Sequence, residues 1–185
     1  MITRPAGITD GRDCGCAVYI AALGAYNSGK LHGAWVNLDR VDDANAMQEC
    51  IDYILQTSPE PGEEEWAMHD HVGLPEFLVA SEWPDWQLIF EFLNVYGNLG
   101  VMQQEAYVAL CDNHNKVMDE DEFDCACCGI WDSEEEFAQV YFEEQGIDLG
   151  PLAGYVDWEM VWNGEFRSGS YWSAATKYGY AIFSE

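Results

Sequence analysis

Cys125 and Cys128 have the C-x-x-C spacing of a zinc knuckle, and Cys14-Gly15-Cys16 offers further thiolates for the same ion. Structural zinc sites usually pair two clusters of matched spacing, and C-x-C is a poor match. The carboxylates on either side of CACC raise thiol pKa values, which opposes the thiolate needed for metal binding and redox exchange. A metal-binding or redox module centred on Cys125, Cys127 and Cys128 is therefore one alternative reading, beside the simpler one of reduced, incidental cysteines. His69-Asp70-His71 puts two imidazoles two residues apart, on one face of a strand, with no third ligand apparent in the sequence. Paired carboxylates suit the acid–base chemistry of glycoside hydrolysis. With 34 acidic residues almost any spacing occurs, so that pattern has no specificity. The chain has no nucleophile elbow, Gly-rich phosphate loop or basic patch. No catalytic, cofactor-binding or metal-ligating residue is assigned, and the expectation is a protein that is not an enzyme.

Charge is the stronger signal. The 185 residues carry 34 Asp plus Glu against 7 Lys plus Arg, a formal net charge of −27. Such imbalance ordinarily accompanies disorder, because few apolar residues remain to build a core. Here 49% of residues are hydrophobic and 14% aromatic, so the charge must lie on the surface of something folded. A folded protein this acidic repels nucleic acid and anionic membranes and is drawn to basic clefts over long range. No segment approaches the ~18 apolar residues that span a bilayer. The opening MITRPAGITDGRDCGC lacks the apolar run of a signal peptide. With an odd number of cysteines, seven, this leads to the expectation of a reduced, cytoplasmic protein.

The elements that would display this charge follow from periodicity. Residues 1–15 read as a loose, Gly-containing extension. Ala17 to Leu23 is an apolar run ending in the turn Asn27-Ser28-Gly29, and Leu31 to Leu38 reads as its hairpin partner. Asp42 and Asp43 can cap a helix in which Met47, Cys50, Ile51, Ile54 and Leu55 recur at three- and four-residue spacing. It should stop near Thr57, before SPEPG, and Glu65 to Val72 reads as a third strand. This makes 16–72 a β-β-α-β unit. Residues 73–112 read as a thin helical segment: WQLIFEFLNVY after Pro84-Asp85, then Met102 to Cys111. Over 113–185 the clearest helix is 133–146, with Ser133 and Glu136 as a capping box and Gly146 at its end. Phe137, Ala138, Val140, Tyr141 and Phe142 form its apolar back, and Glu135, Glu136, Gln139 and Glu143 its front. Two strands around a loop complete the chain. The fold class is α+β.

The dense acidic positions are Glu60, Glu63, Glu64 and Glu65; Asp119, Glu120, Asp121, Glu122 and Asp124; Asp132, Glu134, Glu135 and Glu136; and Glu143 and Glu144. Acids at a helix N-terminus are favoured by the macrodipole. That accounts for Glu134 and Glu135, not for Glu143 and Glu144 at the unfavourable end. Nor does it account for the scarcity of lysines, which ordinary helix faces use for i,i+4 pairs. Duplex DNA carries one charge per ~1.7 Å of axis, so 27 net charges correspond to about 46 Å of duplex. A general acidic binder of basic proteins is a second alternative.

Particular segments narrow this further. AVYIAALGAYNSGKLHGAW (17–35), SPEPGEEEWAMHDHVGLP (58–75), GIWDSEEEFAQVYFEEQG (129–146), YVDWE (155–159) and NGEF (163–166) resemble the ArdA antirestriction proteins, over most of residues 16–185. ArdA proteins are DNA mimics of plasmids, transposons and phages. The resemblance implies an elongated, curved α+β chain of three small domains: 16–72, 73–112 and a dimerising 113–185. It implies a homodimer that occupies the DNA-binding cleft in the modification core of type I restriction–modification enzymes, blocking restriction and often modification. No cofactor is expected. The acidic residues named above would then stand in for phosphates, in the cytoplasm of a host bacterium.

Overall fold

A computed structural model describes residues 3–11 and 15–185, and the chain divides into two compact units between Asn94 and Val95. Each unit contains an antiparallel sheet and helices, as an α+β chain requires.

In the first unit β1 (Ile8–Thr9), β2 (Ala17–Ala22), α1 (Leu23–Asn27), β3 (Gly33–Asn37), α2 (Ala44–Gln56) and β4 (Trp66–Val72) follow one another. The sheet order is β1-β3-β2-β4. β2 reads as a continuous apolar run because it is central: Ala17, Val18, Ile20, Ala21 and Ala22 are all buried. Its register with β3 sets Val18 opposite Val36 and Tyr19 opposite Trp35, whose rings meet edge to face at 5.6 Å. The expected hairpin is present, but a single helical turn, α1, precedes its reversal at Gly29. The Asp43 side chain caps α2 by accepting from the Ala46 amide at 2.8 Å. Met47, Cys50, Ile51 and Ile54 are buried, and α2 packs on β2 and β3.

The N-terminal residues depart from the expectation of a loose extension. Ile8 and Thr9 pair with Val36 and Trp35, and the Ile8 side chain is buried. Two residues are too short a run for any periodicity to announce, yet they cover part of a strand edge that would otherwise be free.

α3 (Trp86–Tyr96) starts at Asp85, whose carboxylate accepts from the Gln87 amide at 2.9 Å. Trp86 stacks on Trp66 at 5.9 Å, within the first unit. The boundary between the units falls inside this helix. α4 (Val101–His114) buries Ala106, Tyr107, Leu110 and Cys111, and it ends at Asn115 with φ +50°. Then come α5 (Glu120–Ala126), β5 (Cys127–Trp131), α6 (Glu134–Glu144), a 3₁₀ stretch (Gly150–Tyr155) and α7 (Trp158–Val161), which continues as a π turn to Phe166. β6 (Tyr171–Thr176) and β7 (Gly179–Ser184) close a sheet of order β5-β7-β6.

The core of the second unit is aromatic. Phe137 meets Trp131, Phe166, Tyr171 and Trp162 at ring separations of 5.5, 5.4, 5.8 and 6.0 Å. Each well-oriented pair adds about 0.5–1.5 kcal/mol to the burial of the rings. Gly179 makes the β6–β7 turn at φ +125°, and a Cβ there would stand 2.2 Å from the Trp131 carbonyl oxygen. No larger residue allows that approach of β5.

Candidate protein-binding surface

α5, though only seven residues long, has a strong start. Asp119 accepts from the Glu122 amide at 2.8 Å, and the Glu122 carboxylate accepts from the Asp119 amide at 3.0 Å. Phe123, buried against Tyr107, pins the helix to the core. Asp119, Glu120, Asp121 and Asp124 are exposed. Glu122 is half-buried and paired with Lys116, whose hydrogen bond holds its carboxyl below the usual range.

In α6 the predicted capping box is displaced by one residue. Ser133 Oγ accepts from the Glu136 amide at 3.1 Å, but the Glu136 carboxylate reaches the Asp132 amide, at 3.0 Å. The reason is local: Ser133 precedes the helix in extended backbone, and the Glu136 side chain reaches past it to the outer amide. Glu134 is turned to β6, where the Ser173 hydroxyl donates to it. Glu135 is half-buried; Asp132, Glu136, Glu143 and Glu144 are exposed. Glu143 accepts from Gln139 Nε2 at 2.9 Å. Phe137 and Ala138 are buried behind this face, while Tyr141 and Phe142 are half-buried against the same core.

The acidic run of the first unit divides by role. Glu60 pairs with Lys30 at 2.6 Å, and that bond holds its carboxyl below the ordinary range. Glu63 is half-buried, accepting from the Gly24 and Ala25 amides at 3.0 and 2.9 Å. Glu64 and Glu65 are exposed. Glu105, which sequence reasoning passed over, pairs with Lys177 at 2.7 Å and receives the Lys177 amide at 2.9 Å. All three lysines are thus engaged by carboxylates, and these local pairs leave most of the negative charge unmatched.

The metal readings fare differently. Cys125 is exposed at the end of α5, while Cys127 and Cys128 lie half-buried on β5. Burial raises the Cys127 thiol pKa, which keeps it protonated. Cys14 lies outside the described residues, and Cys16 is buried with its thiol donating to the Gly73 carbonyl at 3.1 Å. In β4 a bulge intervenes: Tyr19 pairs with Asp70 and Ile20 with Met68, so His69 is the extra residue. That breaks the two-residue period expected to align His69 and His71, and the His69 ring packs on Tyr26 at 5.1 Å. Among the described residues no group of three or more His, Cys, Asp or Glu side chains is placed to hold a metal ion.

A family model described as antirestriction protein (ArdA) matches residues 18–180. The chain belongs to the ArdA family. Comparison with individual curated proteins gives no match. Membership assigns this ArdA chain an antirestriction function, with restriction enzymes as its partners. The match takes in every acidic position discussed above, from Glu60 to Glu144. Among the described residues of this ArdA protein no helix is long and apolar enough to cross a membrane.

Proposed function

We propose that this ArdA protein is a DNA mimic that occupies the DNA-binding cleft of type I restriction–modification enzymes and inhibits both restriction and modification. The observation that carries the reading is the division of α5 and α6 into a buried apolar back and a carboxylate front on which, among the described residues, Lys116 at Glu122 is the one paired cation. Phe123, Phe137 and Ala138 anchor the helices, while Asp119, Glu120, Asp121, Asp124, Asp132, Glu136, Glu143 and Glu144 are exposed. Glu64 and Glu65 extend the set in the first unit. Carboxylates held on short helices can meet the cationic side chains that otherwise meet phosphates, at no cost of ordering a flexible tail. Glu60, Glu63, Glu122 and Glu134 serve the fold more than the partner, since each is half-buried and bonded to a lysine or to a donor distant in the chain.

The working form is an elongated homodimer in the bacterial cytoplasm, joined through the C-terminal region. Leu152, Tyr155 and Met160 support this, being 64%, 88% and 71% exposed within a short stretch of one unit. Exposed apolar side chains so close together are uncommon on a monomer surface. Neither a cofactor nor catalysis enters the mechanism: inhibition is competitive occupancy.

The test is a competition between this protein and a labelled cognate duplex for a type I enzyme at moderate salt. Stoichiometric displacement of the duplex is expected, and the complex should weaken as salt rises, because its contacts are largely ionic. A duplex that stays bound at excess inhibitor would refute the reading for that enzyme. Equal affinity for an unrelated basic protein would replace mimicry by general acidic binding.

A further inference from the structure

The C-terminal end of α6 and the loop that follows enclose a cleft of about 300 Å³. Phe142 and Trp158 form two of its walls, their ring centroids 6.3 Å apart and their planes inclined at 43°. Glu143 and Asp148, both exposed, also line it. The hydrogen bonds found for these carboxylates are one from Gln139 Nε2 to Glu143, at 2.9 Å, and one from the Gly150 amide to Asp148, at 2.8 Å. A carboxylate has about four acceptor sites, so both retain capacity for a cation. No lysine or arginine among the described residues pairs with either.

The position is electrostatically unusual. α6 ends here, with Gly146 at φ +79° and the Ile147 amide bonded to the Phe142 carbonyl at 3.1 Å. The C-terminal end of a helix carries the negative pole of its dipole, where a stable fold favours cations. Glu143 and Glu144 add charge of the same sign there. The two aromatic walls add π systems that attract cations. The charged and aromatic lining thus favours a cation, and among the described residues no lysine or arginine lines the cleft.

We propose that this cleft receives an arginine side chain of the partner protein, with the guanidinium against Phe142 and Trp158 and its N–H groups donating to Glu143 and Asp148. Arginine fits better than lysine because its planar, weakly hydrated guanidinium stacks on rings and forks onto carboxylates. The choice of partner rests on the antirestriction reading, since a DNA-binding cleft is lined with such side chains. A second copy is the disfavoured occupant: in this unit both lysines are already paired, with Glu122 and Glu105, and Arg167 is the one arginine it could offer.

The experiment follows the Trp158 indole N–H by NMR in the intact protein during titration with N-acetylarginine amide. Parallel titrations use the lysine and citrulline analogues, citrulline having the same outline without the charge. A saturable shift with arginine, a weaker one with lysine and none with citrulline is expected. Glu143→Gln and Phe142→Leu should each weaken arginine binding about threefold or more. Both variants should also require severalfold more protein to displace the duplex from a type I enzyme. An equal response to citrulline, or no saturable response to arginine, overturns the proposal. A response that emerges only after Arg167→Gln, the exposed arginine of this unit, overturns it in favour of a second copy as occupant. Unchanged inhibition by both variants overturns the assignment to the restriction enzyme. Arginine binding by a protein that displaces no duplex at all would instead remove the mimicry reading, so the two failures are distinguishable.

Discussion

Glu63 turns its carboxylate toward the start of α1, where the amides of Gly24 and Ala25 donate to it at 3.0 and 2.9 Å. Its neighbours Glu64 and Glu65 are exposed. All three would lose the same unit of charge on conversion to glutamine, so stability separates the roles. Glu63→Gln should lower the unfolding free energy by about 1–2 kcal/mol, because one of the two accepting oxygens becomes an NH2 group that faces a backbone N–H donor. Glu64→Gln should change it by less than about 0.5 kcal/mol. Urea unfolding of the two variants side by side decides this, and equal effects would show that Glu63 is not a staple. Nothing in the run GEEEW marks the first glutamate as different. The amides it serves lie some 38 and 39 residues earlier, and only the folded chain brings them there.

At the level of elements, the Glu105–Lys177 pair joins α4 to the turn between β6 and β7. The Lys177 hydrogen bond holds the Glu105 carboxyl below its ordinary value of 4.5. A carboxyl with a depressed folded pKa contributes stability above its unfolded pKa and loses that contribution as pH falls through the folded value. Thermal unfolding of Glu105→Gln should therefore fall below that of the parent protein at pH 7, with the gap closing under acid conditions below about pH 4. A gap that persists unchanged in acid would assign the effect to packing. α2 and α6 were legible because about three turns of apolar periodicity exceed local noise. α5 and β5, seven and five residues long, were not: half-buried cysteines and a glycine with φ +108° leave no strand pattern to read. β1 was missed for the same reason, since two residues define no period.

For the molecule as a whole, the proposed mimicry spreads affinity over many weak ionic contacts and predicts a graded response. Single changes of Glu120, Asp121 or Asp124 to the amide should weaken inhibition of a type I enzyme only about twofold each. Changing all three should weaken it about tenfold and flatten its salt dependence. Competition with a labelled duplex at two salt concentrations measures both, and complete loss from any single change would concentrate the energy at one site instead.

By itself the sequence determined the α+β class, the principal helices and the family. These depend on composition, on local periodicity and on short motifs, all of which are present in the unfolded chain. Only the tertiary structure decided which carboxylates are committed to the fold. Glu63, Glu105 and Glu134 find donors 38 to 72 residues away in the chain. It also decided that an inserted residue separates His69 from the alignment with His71 that alternation predicts. Register, bulges and long-range hydrogen bonds arise when distant segments pack, and no local pattern encodes them.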